Sequence, residues 1–270
     1  MGNSMHQYLD VNQSGAGEPI RLHYRSDGDR THPCLVLSNS LGTDLHMWDA
    51  QVARLASGFY IVRYDTRGHG RSTSGSEPCA IEDLGRDVIA LLDHLEIAQA
   101  VFCGISMGGL TGQWLGYQHP QRFTQLVLAN TAARIGSSEA WLARAKQVRE
   151  AGMEAVADGA AGRWFSPEFI AREGSTVARM VHTLRSQDAS AYAACCEALA
   201  QADLRSTAAQ IAVPTLVIAG ESDPVTTIAD GRWLQQQIAA ARLATVPASH
   251  LSNIEAEQAF TALLREFLLD

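Results

Sequence analysis

The fold of this chain is decided by the stretch Val101-Phe102-Cys103-Gly104-Ile105-Ser106-Met107-Gly108-Gly109. An apolar run ends here in the pattern Gly-x-Ser-x-Gly, and a segment of helical character follows, which is the setting of a sharp strand-to-helix turn. Such a turn projects the serine hydroxyl, and glycines two residues before and after it let the strand and the helix approach closely. The N-terminus of the following helix favours developing negative charge beside the serine. We therefore predict that Ser106 is a nucleophile rather than part of a plain turn.

On both sides of this turn, short apolar runs alternate with longer segments of helical periodicity. Runs rich in Val, Ile and Leu are typical of parallel strands that are buried on both faces. The sequence therefore predicts an α/β fold with a mostly parallel central sheet and helices on both faces. The predicted strands cover residues 34–37, 60–64, 101–105, 126–129, 215–219 and 243–246, after an antiparallel hairpin over residues 8–24. The predicted helices cover residues 80–95, 107–117, 227–239 and 255–269.

One region interrupts the alternation of strands and helices. From about residue 134 to residue 206 there is no convincing strand, and apolar residues recur at helical spacing between scattered glycines. We predict several short helices inserted between two strands, over the carboxyl ends of the sheet, where α/β proteins bind ligands. The chain would then consist of a first core part (1–133), a helical cap (134–206) and a second core part (207–270).

Composition excludes several classes of protein. The net charge is −8 and no basic run is visible, so a nucleic-acid partner is not expected. No apolar stretch is long enough to cross a membrane, and the first ten residues lack the apolar core of a signal peptide, which predicts a cytoplasmic location. The five cysteines show no metal-ligand spacing, so neither a metal nor another cofactor is expected. The sequence leaves open whether copies of the chain form a homo-oligomer.

A serine hydroxyl is a weak nucleophile and needs a base, and in this type of site the order along the chain is serine, acid, histidine. His250 follows the last predicted strand and precedes the final helix, which suits a base carried on a loop above the sheet. Asp223 follows the strand at 215–219 and is the predicted acid that orients His250. Glu221 is a neighbouring rival for this role, and Asp230 is a weaker candidate.

An oxyanion hole needs two backbone N–H groups. One is expected from Met107, directly after the serine. The other is expected from Leu41, in the loop that follows the first central strand. Asn39-Ser40 stands where many hydrolases have His-Gly, but a backbone donor does not depend on that side chain.

A second dense cluster is Arg63-Tyr64-Asp65-Thr66-Arg67-Gly68-His69-Gly70-Arg71-Ser72. His69 could suggest a metal or active-site role. We favour a structural interpretation, in which an interaction between Asp65 and an arginine holds a glycine-rich loop. The loop lacks the Gly-Lys-Ser/Thr sequence of a phosphate-binding loop.

These residues and the segments around them resemble the α/β-hydrolase superfamily over nearly the whole chain. The serine turn alone identifies only the superfamily, whereas the neighbouring segments resemble more narrowly those of the 3-oxoadipate enol-lactonases. The segments that carry the narrower resemblance are Ser38-Asn39-Ser40-Leu41-Gly42-Thr43, Arg63-Tyr64-Asp65-Thr66-Arg67-Gly68-His69-Gly70, Leu128-Ala129-Asn130-Thr131-Ala132-Ala133 and Ser249-His250-Leu251-Ser252-Asn253.

The resemblance implies hydrolysis of 3-oxoadipate enol-lactone to 3-oxoadipate in the β-ketoadipate pathway of aromatic degradation, by a Ser-His-Asp triad through an acyl-enzyme. The substrate would be a small lactone with an anionic acetate arm. Because the chain is acidic overall, such a substrate needs a local cation. Arg134 is the expected cation, since it opens the cap directly after a core strand, and Trp141 is the expected wall of the pocket.

Other functions share the same three residues. Within enzymes, the alternatives are a general carboxylesterase, a related carbon–carbon bond hydrolase and a cofactor-free perhydrolase. From a different class, a non-catalytic hydrolase fold could act as a small-molecule receptor that keeps the triad but turns over slowly. Substrate turnover separates these alternatives.

Overall fold

The computed structural model describes residues 6–11, 20–75 and 78–269. Within these residues eight strands form one sheet: β1 (Gln7–Val11), β2 (Ile20–Asp27), β3 (Cys34–Ser38), β4 (Tyr60–Tyr64), β5 (Ala100–Ile105), β6 (Phe123–Ala129), β7 (Thr215–Gly220) and β8 (Ala241–Val246). They lie side by side in the order β1-β2-β4-β3-β5-β6-β7-β8. β2 pairs antiparallel with β1 and β4, and the remaining pairs are parallel. The predicted mostly parallel sheet is confirmed.

Helices alternate with these strands. In the described ranges the α-helices are α1 (Asp49–Leu55), α2 (Ile81–His94), α3 (Met107–Gln118), α4 (Ser138–Ala151), α5 (Glu154–Ala157), α6 (Ala160–Trp164), α7 (Pro167–Arg172), α8 (Gly174–Arg185), α9 (Ala189–Gln201), α10 (Ile228–Gln237), α11 (Ser252–Glu255) and α12 (Glu257–Leu269). Short 3-10 helices occur at Leu45–Trp48, Pro120–Arg122 and Ala208–Gln210. All residues of β3, β4, β5 and β7 are buried, as in a sheet that is covered on both faces. None of the described helices is long and apolar enough to cross a membrane.

The connection between β6 and β7 holds α4 to α9, which span residues 138–201 and are called the helical insertion from here on. Three of these helices are short, and the other three have 14, 12 and 13 residues. α4 packs along α9, so the insertion has an internal helix pair of its own. The expected boundaries at residues 134 and 206 enclose these helices, and the division of the chain into core and cap stays a prediction.

Several elements differ from the expectation in detail. The described part of the predicted hairpin is present as β1 and β2, while its residues 12–19 lie outside the described ranges. Helix α1 was not expected, since its seven residues carry too short a periodic pattern. The single helix expected at residues 255–269 is two helices, α11 and α12, which are separated at Ala256.

Asp65 holds the glycine-rich loop after β4, as expected, and the arginine that it binds there is Arg71, through the backbone N–H. The Asp65 carboxylate lies 2.6 Å from Nδ1 of His23 and accepts the backbone N–H groups of Leu45 and Arg71. Arg67 instead binds Asp87 of α2 with two hydrogen bonds of 2.7 Å. The sequence does not show that the partners of Asp65 are His23 and backbone N–H groups, nor that Arg67 pairs with Asp87.

The ion pair between Arg67 and Asp87 is buried, with exposed side-chain fractions of 10% and 1%. We predict that Asp87→Asn lowers the free energy of unfolding by about 3 kcal/mol, because it leaves a buried guanidinium without a countercharge. The matched control is Asp93→Asn, which breaks the pair with Arg122 at a carboxylate that is 62% exposed, and should cost about 0.5 kcal/mol. Urea unfolding followed by tryptophan fluorescence measures both values. Equal losses in the two variants would contradict the assignment.

Candidate active site

Ser106 lies at the junction of β5 and α3, in the sharp turn that the sequence predicts. Its backbone has φ 57° and ψ −113°, in a region that residues with a Cβ rarely adopt. The turn is possible because residues 104 and 108 have no Cβ. A Cβ on Gly104 would collide with the carbonyl oxygen of Gly108, and one on Gly108 would lie 2.5 Å from the carbonyl oxygen of Ser38. Glycine is therefore required at both positions, and β5, α3 and the end of β3 meet at the serine.

Hydrogen bonds from the neighbouring strand hold this backbone in place. The Ser106 N–H donates to the carbonyl of Ala129 at 3.0 Å, and the hydroxyl of Thr131 donates to the carbonyl of Ser106 at 2.8 Å. Both partners belong to the end of β6 and the residues that follow it. The position of the serine is thus tied to the strand that leads to the helical insertion.

The predicted acid and base lie at the same edge of the sheet. Asp223 follows β7 and His250 follows β8, and Nδ1 of His250 lies 2.8 Å from Oδ2 of Asp223. Both side chains are buried. Glu221, the rival acid, is exposed and its carboxylate accepts the hydroxyl of Thr245 instead. The geometry therefore pairs His250 with Asp223, as expected for a histidine base whose ring is oriented by a carboxylate.

The carboxylate of Asp223 is surrounded by hydrogen-bond donors. It accepts the N–H groups of Val225 and Thr226 at 2.8 and 3.0 Å, the hydroxyl of Thr226 at 2.8 Å and the amide of Asn130 at 3.0 Å. Burial alone would raise the pKa of Asp223. The hydrogen bond and charge of His250, together with the Asn130 and Thr226 bonds, outweigh that effect and lower the pKa below its usual value. Asp223 therefore remains ionised in mildly acidic solution.

Asn130 connects the acid to the loop that carries the base, and we had not expected this from the sequence. It directly follows β6 and has a φ of 44°. Its Nδ2 donates to Asp223 and, at 3.1 Å, to the carbonyl of Ser249, while its Oδ1 accepts the hydroxyl of Ser252. A signal was present, because asparagine tolerates the left-handed region at the end of a strand better than most residues. The sequence did not show which partners the amide would reach.

The loop expected to supply the second oxyanion donor is fastened to the serine turn. The N–H of Gly108 donates to the carbonyl of Asn39 at 3.1 Å, and the Asn39 side chain donates to Tyr64 and accepts from Trp48. Leu41 follows in this loop, and Met107 is the first residue of α3, where a helix leaves its N–H groups without intrahelical partners. Both expected donors thus belong to segments that meet at Ser106.

A cavity of about 310 Å³ lies over Ser106 and His250. Leu41 and the two expected site residues Ser106 and His250 line it, and Asp223 stands behind His250. Trp141 of α4 is also in the wall, where its ring N–H donates to the carbonyl of Ile135 at 2.6 Å. The full lining consists of Ser40, Leu41, Ser106, Ile135, Gly136, Ala140, Trp141, Arg144, Arg163, Trp164, Leu184, Tyr192, Pro224, Val225 and His250.

Arg134, the cation expected from the sequence, does not line this cavity. Its guanidinium lies 3.9 Å from the carboxylate of Asp203, and the residue borders a separate depression on the surface. The cations that do line the cavity are Arg144 of α4 and Arg163 of α6. No aspartate or glutamate is among the described lining residues. The cations of the cavity are therefore other residues than the one expected, because the sequence does not show which face of each inserted helix turns toward Ser106.

The two arginines differ in how they are held. The guanidinium of Arg144 lies 4.7 Å from the ring centre of Trp141, which is three residues earlier on the same helix face. Nη2 of Arg163 donates to the carbonyl of Val156 at 2.6 Å. Burial and the positive charge of Arg144 lower the pKa of Arg163. The cavity therefore carries concentrated positive charge above a serine and a histidine.

The sheet order, the serine turn and the Asp223–His250 pair together define a serine hydrolase with the α/β-hydrolase fold. The family model described as Serine aminopeptidase, S33, matches residues 30–249. Two relatives from Acinetobacter baylyi are 3-oxoadipate enol-lactonase 2 and 3-oxoadipate enol-lactonase 1. The first is 51% identical over 90% of this chain and 91% of the relative, and the second is 41% identical over 98% of each.

A solved structure gives the same relationship. The crystal structure of the enol-lactonase from Burkholderia xenovorans is 48% identical, has a TM-score of 0.94, and matches 98% of this chain and all of that one. The chain therefore belongs to the α/β-hydrolases and, within them, to the family of the 3-oxoadipate enol-lactonases. The resemblance expected from the sequence is confirmed.

We predict that Asn130→Asp moves the acid limb of the pH profile of kcat/KM to higher pH. The change places a second carboxylate against Asp223, which raises the pKa of the pair, and a protonated acid no longer supports His250. Loss of a donor to an ionised group should also lower kcat/KM at neutral pH roughly tenfold to a hundredfold.

The measured quantity is kcat/KM for hydrolysis of p-nitrophenyl acetate between pH 5 and 9, the range that is accessible to the assay. Asn253→Asp is the matched control, because Asn253 is also a buried asparagine, in α11, but its amide donates to the carbonyl of Met47 instead of to Asp223. It should reduce stability without displacing the limb. A wild-type profile for Asn130→Asp would show that the amide does not govern the acid.

Proposed function

We propose that this chain hydrolyses 3-oxoadipate enol-lactone to 3-oxoadipate, the activity for which its relatives are named, as a step of the β-ketoadipate pathway. The observation that carries the proposal is the composition of the cavity, in which Arg144 and Arg163 stand over Ser106 and His250. A lactone with an anionic arm needs a nucleophile at one end and a cation at the other, and this cavity offers both.

In the first half of the proposed reaction, Nε2 of His250 takes the proton of the Ser106 hydroxyl while Oγ attacks the lactone carbonyl carbon. Asp223 holds His250 through Nδ1 and stabilises the imidazolium that forms. The acyl–oxygen bond of the ring then breaks, the ring oxygen leaves as an enolate, and the enolate takes the proton from the His250 imidazolium, which gives the enol and returns His250 to its neutral form. An enolate is a stable leaving group, so ring opening needs little help from an acid.

In the second half, His250 takes a proton from a water molecule that attacks the acyl-enzyme carbonyl, and Ser106 recovers its proton as the acyl–serine bond breaks. The enol released at the other end of the opened ring tautomerises to the ketone. One lactone and one water thus give one 3-oxoadipate. The negative charge on the carbonyl oxygen in each half would be held by the N–H groups of Met107 and Leu41.

The acetate arm is proposed to lie against Arg144 and Arg163. Two cations that repel each other in a partly buried cavity are stabilised by an anion that binds between them. Trp141 holds one of them by its ring face, and Tyr192 adds a neutral hydroxyl, because burial raises its pKa to about 12. A guanidinium pairs well with a planar carboxylate, which would fix the direction of the lactone relative to Ser106.

The first test follows the ultraviolet absorbance of the enol-lactone with the wild-type protein and Ser106→Ala. We expect turnover by the wild type and a loss of about 10⁴-fold or more in kcat for the variant, because it lacks the proposed nucleophile. Faster turnover of a neutral ester than of the lactone would instead favour a general esterase. A single acylation by a fluorophosphonate without turnover of either would favour a receptor.

We predict that Arg144→Met lowers kcat/KM for the enol-lactone roughly tenfold to a hundredfold, mainly through KM, because it removes a charge-assisted contact to the acetate arm. Hydrolysis of neutral p-nitrophenyl acetate should change by less than about threefold, since that ester has no arm. Arg134→Met is the matched control, and it should behave as wild type toward both substrates. The assignment fails if the Arg134 variant shows the larger loss on the lactone.

A further inference from the structure

The residues on either side of His250 are hydrogen-bonded, directly or through one side chain, to the helical insertion. The N–H of Leu251 donates to the carbonyl of Trp164 at 3.0 Å. The N–H of Ser249 donates to the carboxylate of Glu255 at 2.9 Å. That carboxylate also accepts the backbone N–H of Ser166 at 3.2 Å and its hydroxyl. We call these five residues the strap.

The strap includes part of the cavity wall. Trp164 lines the cavity beside Arg163, which precedes it in α6, and Ser166, two residues later, caps the N-terminus of α7. The backbone segment that carries Arg163 is therefore hydrogen-bonded to both neighbours of His250, directly at Leu251 and through Glu255 at Ser249. Movement of residues 163–166 and movement of the loop around His250 cannot be independent while the strap is intact.

Glu255 is the part of the strap that other residues cannot replace. It ends α11 and is half-buried, and its two oxygens accept three donors that come from two separate segments. Bonds from N–H and O–H groups to an ionised carboxylate are shorter and stronger than bonds between neutral groups. Without this carboxylate, the N–H of Ser249 and the N–H and hydroxyl of Ser166 lose their common acceptor.

We propose that Glu255 is a positioning residue that couples binding of a substrate carboxylate in the cavity to the placement of His250. An anionic arm that binds at Arg163 favours one arrangement of residues 163–166, and the strap transmits that preference to the base. Binding energy from the non-reacting arm is then used to orient the reacting groups, so the arm raises kcat as well as lowering KM. The inference rests on the proposed function, since it assigns the cavity to an anionic substrate.

The test uses a pair of esters that differ only in the arm, so that it does not depend on the lactone. Mono-p-nitrophenyl succinate carries a carboxylate, and p-nitrophenyl butyrate is its neutral counterpart of similar length. The quantity measured is the ratio of kcat for the anionic ester to kcat for the neutral one, with active sites counted by a fluorophosphonate. Misfolded protein then drops out of the ratio.

For Glu255→Gln we expect this ratio to fall about fivefold or more, the usual lower range for coupling between two sites. Glu257→Gln, two residues later, breaks an ion pair with Arg54 near the surface and should leave the ratio unchanged. Ser166→Ala should lower the ratio by a smaller factor, and Ser166→Thr, which keeps the hydroxyl, should restore it.

A double-mutant cycle makes the test sharper. In an Arg163→Met background the arm has lost its link to residues 163–166, so Glu255→Gln should no longer change the ratio. Equal losses of kcat for the two esters in Glu255→Gln, or an unchanged ratio, would overturn the coupling and leave Glu255 as a fastener of the fold. Failure of the wild type to open the enol-lactone would reject the proposed substrate, while the ester pair would still decide the role of the strap.

Discussion

The backbone of Ser106 is held in a left-handed conformation that costs free energy, and the surrounding structure keeps it there. A residue in such a region persists only where its neighbours determine its position more than once. Here the N–H of Ser106 donates to the carbonyl of Ala129, and the carbonyl of Ser106 accepts the hydroxyl of Thr131. In the first turn of α3, the N–H of Gly108 donates to the carbonyl of Asn39. The strained serine thus fixes, at one point, the ends of β3, β5 and β6, and with them the expected oxyanion loop.

A second left-handed residue lies one strand away. β6 is the neighbour of both β5 and β7, so the residue at its end stands between the serine and the acid. Asn130 occupies that place and binds both Asp223 and the loop before His250. This explains why the sequence segments that resemble the family are short and far apart. Polar residues of one segment are hydrogen-bond partners of another, as Asn39 is of Tyr64 and Asn130 is of Ser249 and Ser252.

Much of this could be predicted from the sequence, because the responsible signals are local. Apolar runs predict buried parallel strands, and because Ser106, Asp223 and His250 each follow such a strand, the sequence predicts that they share one edge of the sheet. The cation could not be predicted in the same way. Arg134, Arg144 and Arg163 all belong to or adjoin predicted helices, and helical spacing shows which residues share a face but not which face turns toward the cavity. That depends on how the inserted helices pack against each other, which is a long-range property.

The placement of the two cavity arginines has a cost that bears on how the site works. A chain with a net charge of −8 could easily have placed a carboxylate beside them, yet the described lining has none. Burial without a countercharge lowers the pKa of Arg163 and leaves the cavity ready for an anion that comes from outside the protein. Binding of a carboxylate there, as we propose, would restore the stability that the two arginines give up. Because residues 164–166 are hydrogen-bonded to the loop around His250, that gain would arise at the segment bonded to the neighbours of the base, where it would favour the arrangement in which the reaction proceeds.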